Sequence, residues 1–322
     1  MFRMSGLFSF RVARVLVVAG LVCAGVARAA SEPAGGGSPE AVQMLREIVA
    51  EQRAALGEAR KKEDASDLED VRPRLQRVLD DYENLIGRHG DFAAGWAAYG
   101  LFLCDPLVED RRAALPLLLK ANSLDPDLPV VKNQIGVILA EQGRPVDAFT
   151  YFLAASDLAP REPLYHLQIG LVLDEARTDF LKTGAWTGPM LDKSILVAFA
   201  RLRELAPERT DYWYRGAEAY YTLAEPRWEE AYQVWTGLEE RLASELERQT
   251  VRLHRARVLW KQGLAADARE LLATVGEPSL AVQRAKLESE FHAEDAAEAK
   301  GAPAGAAAPA TAQPFFKPPE LK

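Results

Sequence analysis

The chain has 322 residues, 39 Lys and Arg against 47 Asp and Glu, a net charge of −8 and two cysteines. An acidic surface repels phosphate backbones, which argues against nucleic acid as a partner and against adhesion to anionic lipid. Two cysteines are too few for a disulfide framework, so an apolar core must supply the stability.

Residues 1–29 read as a secretory signal peptide. Arg3, Arg11 and Arg14 precede an uncharged run of 13 residues, Val15 to Ala27, and Ala27-Arg28-Ala29 supplies the small-x-small pattern of a cleavage site. A spanning helix needs roughly 20 apolar residues, so the run is short for a retained anchor. Bulky Val22 before Cys23 argues against a lipid-modified cysteine. Cleavage would remove four arginines and Cys23, taking the net charge from −8 to −12 and leaving Cys104 alone. Nothing near Cys104 in sequence would lower its pKa. The expected location is the bacterial periplasm or the exterior, with no transmembrane helix left after cleavage.

Residues 30–38, with Gly35-Gly36-Gly37, form a flexible lead-in. Ser38-Pro39 then opens a helix, Ser as cap and Pro in the first turn, where its missing N–H costs nothing. Leu45, Ile48, Val49 and Leu56 follow at helical spacing. The next helix starts either at the capping box Ser66-x-x-Glu69 or, because of Pro73, near Asp70. Val78, Leu79, Tyr82, Leu85 and Ile86 form its stripe, and Gly87 and Gly90 stop it.

From Asp91 onward, similar residues recur at a spacing of 34. Ala114, Leu118, Ala121, Leu124 and Pro126 are answered by Ala148, Phe152, Ala155, Leu158 and Pro160; Ile135, Gly136 and Leu139 by Ile169, Gly170 and Leu173. The physical need is for small residues where two antiparallel helices touch and large ones to fill the space between them. A third pair starts at His166 and resumes over Lys193–Leu205, with about a dozen extra residues inserted in the region Arg177 to Asp192. A fourth pair begins at Asp211 and returns along Ala231, Trp235 and Leu238. A fifth turns at Gly263 between Leu259-Trp260 and Ala268. Pro278-Ser279 opens one further helix with Leu280, Leu287 and Phe291 on one side, as the end of a repeat stack requires. Residues 293–322, rich in Ala and Pro, read as a disordered tail, with Phe315-Phe316 as a candidate docking segment.

The pattern Ile135-Gly136-x-x-Leu139, then Ala148-x3-Phe152-x-x-Ala155, then Pro160, resembles the tetratricopeptide repeat superfamily, and the likeness extends over roughly 91–275. It implies an all-α protein, an α-solenoid of tetratricopeptide-like antiparallel helix pairs over 39–292. It also implies that the first helix of each pair lines a concave face. That face would present Ala94, Ala97 and Leu101, then Val130, Asn133 and Val137, then Leu164, Leu167 and Leu171. Such a face is apolar apart from one amide and suits an extended or helical apolar segment. Trp186, between glycines in the insertion, is either a second anchor for a partner or a lid folded over the core.

No nucleophile motif, phosphate loop or metal-ligand spacing is present, and no cofactor or metal is implied. His166 stands where the repeat pattern has Trp and reads as packed. Asp174-Glu175 are adjacent carboxylates, and neighbours on a helix point in different directions. The expected function is therefore a non-catalytic protein-binding scaffold of the cell envelope, with an apolar and basic partner segment on its concave face. Oligomeric state leaves no mark on the sequence. The alternative is a carbohydrate or cell-wall binding module using Trp186 and the aromatic run Tyr212-Trp213-Tyr214 with Tyr220-Tyr221. An enzyme using Asp174 or His166 ranks third.

Overall fold

The computed structural model describes residues 37–61, 69 and 71–299. The signal peptide, most of the lead-in, Ser66 and residues 300–322 lie outside it. Among the described residues there are α-helices, two 3₁₀ turns and no strand. The chain divides into two compact units, up to Tyr165 and from His166.

In the first unit, α1 (Pro39–Ala59) packs on α2 (Arg72–Arg88), α3 (Ala93–Leu103) on α4 (Arg111–Leu124), and α5 (Pro129–Glu141) on α6 (Pro145–Leu158), each pair touching the next. Ser38 caps α1, its hydroxyl accepting the Ala41 N–H at 3.1 Å. α2 starts at Arg72 with Pro73 in its first turn, so the later of the two expected starts is the one observed. Tyr82 of α2 donates to Gln52 of α1 at 2.5 Å and stacks on Tyr99 of α3, ring centres 5.3 Å apart.

The 34-residue recurrence is a packing rule. Ala114 and Ala148 are both fully buried, and so are Ala121 and Ala155. A methyl group added to Gly100 would lie 2.7 Å from Leu118, and one added to Gly136 would lie 2.6 Å from the ring of Phe152. The glycine on each first helix thus admits the large residue of its partner. Burying a ring such as Phe152 contributes about 1.5–3 kcal/mol. Gly143, at φ 75°, makes the turn between α5 and α6 in a conformation that other residues reach only with strain.

The second unit begins inside α7 (Pro163–Glu175) and repeats the rule. A methyl on Gly170 would lie 2.8 Å from Phe199 of α9 (Gly188–Leu205). α10 (Thr210–Glu218), extended by a 3₁₀ turn at Ala219–Tyr221, packs on α11 (Trp228–Glu239). α12 (Glu245–Lys261) packs on α13 (Ala265–Ala273), with Gly263 at φ 81° in the turn. The last helix, α14 (Ala281–Ala299), follows a 3₁₀ turn at Pro278–Leu280 and lays Leu287 and Phe291 on α12, where Phe291 stacks on Trp260 at 4.1 Å.

Two boundaries differ from expectation. The insertion after α7 is mostly helical: α8 (Arg177–Lys182) forms at once, and α9 begins at Gly188 rather than Lys193. The reason is local, since the Thr187 hydroxyl accepts the Met190 N–H at 3.4 Å and Pro189 sits in the first turn. α14 also runs past 292 to Ala299. Glu294 accepts from the indole N–H of Trp260 at 2.7 Å and pairs with Lys261 at 2.6 Å, which ties that extra length down.

Candidate functional site

The residues expected to line the concave face are mostly core. In the first unit, Ala94, Ala97, Leu101, Asn133 and Leu164 are buried, and only Val130 and Val137 are partly open. α3 is apolar on every side, which marks an enclosed helix rather than a groove wall. In the second unit Leu167 is buried and Leu171 partly open. Trp186 is partly buried and meets Phe180 edge-on at 5.6 Å. Phe180 is itself fully buried, so the indole lies over the core of the insertion.

The second unit gathers polar chemistry that the apolar reading missed. Asp174, one helical turn beyond Leu171 on α7, lies 2.5 Å from the hydroxyl of Thr222 at the end of α10. That hydroxyl also sits 2.9 Å from the Ala219 carbonyl. It has one proton for two acceptors, so when it donates to the carbonyl Asp174 must supply a proton of its own. Burial raises the Asp174 pKa, with Thr222 and Arg177 opposing. Glu218 completes the group. It accepts from Arg215 at 3.2 Å, yet burial, helped by the charge of Asp174, pushes its pKa up to about 7.

Behind these carboxyls lies a buried aromatic layer. His254 of α12 stacks on Trp235 at 4.2 Å and bridges two tyrosines, Tyr214 at its Nε2 (3.0 Å) and Tyr221 at its Nδ1 (3.2 Å). Tyr221 donates to the His254 carbonyl at 3.4 Å. The consistent arrangement has His254 Nδ1–H donating to Tyr221 and Tyr214 donating to Nε2. Burial, with Arg257 adding to it, pushes the His254 pKa down to about 3, so the ring is neutral. Burial raises the pKa of both tyrosines.

Arg177 and Asp192 form a buried ion pair at 2.6 Å, and Asp192 also accepts the Glu225 N–H at 3.1 Å. That pair consumes one cation and one carboxylate. Arg215 answers Glu218. Asp174 bonds to a hydroxyl and lies in the fields of the same two arginines, so three carboxyls share two cations. The group is one positive charge short, and the partly open Leu171 lies one helical turn before Asp174. Among the described residues no three His, Cys, Asp or Glu are placed to hold a metal ion, and no helix is long and apolar enough to cross a membrane. Cys104 is buried, its thiol pushed up to about 12 by desolvation, which leaves it unreactive.

No protein-family model matches the chain, and no curated protein matches it in sequence. Solved structures do match. The Naa15/Naa10 complex bound to HypK-THB is similar at TM-score 0.50 and 16% identity, over 78% of this chain and 35% of that one. YrrB, described as a TPR protein with an unusual peptide-binding site, is similar at TM-score 0.43 and 19% identity, over 56% of this chain and 84% of that one. A tetratricopeptide repeat protein from Parabacteroides merdae is similar at TM-score 0.47 and 13% identity, over 82% and 95%. At these identities the likeness is one of fold. The helix pairs, their 34-residue spacing and the glycine-on-ring contacts define this protein as an all-α, tetratricopeptide-like repeat protein.

Proposed function

We propose that the protein is a non-catalytic protein-binding scaffold of the cell envelope. The second unit holds a partner segment that places an apolar side chain on Leu171 and a Lys or Arg beside Asp174 and Glu218. The observation that supports this reading is Asp174, partly buried, bonded to a hydroxyl rather than ion-paired, and next to a second carboxyl whose pKa burial has raised to about 7. A basic side chain entering there would restore both carboxyls to their charged forms and form charge-assisted hydrogen bonds. A peptide-binding site is described for YrrB; for the present chain it is the proposal. Export rests on residues 1–29, and mass spectrometry of the protein recovered from its host would find Ala30 at the mature N-terminus.

Selection of displayed peptides on the full chain tests the site. The reading expects enrichment of a Lys or Arg flanked by apolar residues, lost on the Asp174→Asn/Glu218→Gln variant. Enrichment that survives that variant, or no enrichment on the native chain, would overturn it. Glycan stacking finds little support, since Trp186 lies on Phe180 and Trp213 has a guanidinium over its face.

A further inference from the structure

A separate cluster lies elsewhere in the second unit, where Trp213 in the first turn of α10 meets two arginines. The indole N–H donates to the Pro207 carbonyl at 3.1 Å, which fixes the ring. Arg241, just past the end of α11, lies 4.0 Å from the ring centre, and Arg203, in the last turn of α9, lies 5.5 Å from it. Two glycines make the arrangement possible. A methyl group on Gly237 would lie 2.9 Å from the indole, and one on Gly216 would lie 2.5 Å from Arg203 Nη1.

The charge balance of this group is unusual for so acidic a chain. Arg241 donates one N–H to the Gly237 carbonyl at 2.6 Å, an ordinary bond at a helix end, where cations offset the dipole. Dipole compensation does not account for Arg203, which bonds to no carbonyl of its own helix. Among the described residues it has no hydrogen-bond acceptor and no carboxylate at ion-pairing distance, and the adjacent Glu204 bridges Arg201 at 3.0 Å. Desolvation lowers its pKa, and the nearby Tyr220 and Glu204 only partly oppose that.

We propose that Arg203, Trp213 and Arg241 form a binding site for a carboxylate of an acidic polypeptide partner. Guanidinium groups match a carboxylate in planar, two-bond geometry, and the fixed indole holds the two arginines at one place on the surface. The site does not depend on Asp174 or Glu218 and is tested separately from them.

Trp213 is its own reporter. The full chain is titrated with a capped Glu-Glu dipeptide and, separately, with inorganic phosphate, at constant ionic strength. The signal is the difference in tryptophan fluorescence between the native chain and Trp213→Phe. The expected result is a saturable change with the dipeptide, at least tenfold weaker in Arg203→Gln and in Arg241→Gln, with circular dichroism unchanged. Arg241 is exposed, so its variant remains informative should Arg203→Gln disturb the fold. No saturable change in the native chain, or an unchanged midpoint in Arg241→Gln, overturns the site. Saturation by phosphate at lower concentration than the dipeptide overturns the carboxylate assignment.

Discussion

At the scale of the residue, the repeat is held by contacts a single methyl group can test. Gly136 faces the ring of Phe152 at a distance no Cβ can occupy without displacing it. Gly136→Ala should therefore cost about 1–3 kcal/mol by overpacking, although Ala is the better helix former. Urea unfolding measures this, and Phe152→Leu in the same chain should recover part of the loss. Two titrating groups set a second expectation. The unfolded chain protonates His254 near its ordinary value, while the folded ring holds out to about 3. His254 therefore lowers stability as the pH falls from 6.5 toward 3, by about 1.4 kcal/mol per unit. Glu218 acts in the opposite sense, keeping its proton in the fold up to about pH 7 and losing stability as the pH rises from 4.5. The two slopes oppose each other between pH 4.5 and 6.5. In Glu218→Gln, stability should rise more steeply with pH across that window; an unchanged slope would mean Glu218 titrates normally.

At the scale of the element, the insertion is held by one buried ion pair. Arg177 at the start of α8 meets Asp192 in α9, and Asp192 also receives the Glu225 N–H ahead of α11. Removing Asp192 would leave a largely buried guanidinium without its ion-pair partner, and an unpaired N–H. Asp192→Ala should cost about 3–5 kcal/mol, while replacing both partners by Leu and Met should recover most of it. Thermal unfolding followed by circular dichroism distinguishes the two. The helices themselves were legible because small and large residues alternate at a fixed period, and Ala114, Ala148, Leu118 and Phe152 sit in the core as that period requires. The insertion was half legible: Thr187-Gly188-Pro189 is a helix-start signal that fixes the beginning of α9, and its glycines favour a loop reading. Most of the residues expected on the groove are buried for a physical reason. α3 has no polar side to turn outward, so its apolar residues are enclosed by neighbouring helices. A test that replaced Leu167 by Asp would measure unfolding of the core, not binding. Of the acidic group only Asp174 stood out in the sequence, because Glu218 and Thr222 lie far along the chain and only stacking brings them to it.

At the scale of the whole molecule, charge governs encounter. With 47 acidic against 39 basic residues, and more imbalance if residues 1–29 are cleaved as proposed, the net charge would draw the proposed basic segment in over the Debye length of about 8–10 Å. Association of a selected basic peptide should slow as salt rises from 50 to 500 mM, about tenfold or more, with a smaller change in dissociation rate. Stopped-flow fluorescence separates the two rates.

The proposed partner surface lies on the first helices of the second unit, and amide hydrogen exchange with and without the selected peptide measures it directly. The account predicts new protection on α7 around Leu171–Glu175 and on α10 through Thr222, with α9 and α11 unchanged. Protection confined to α9 and α11, or none at saturating peptide, would contradict it.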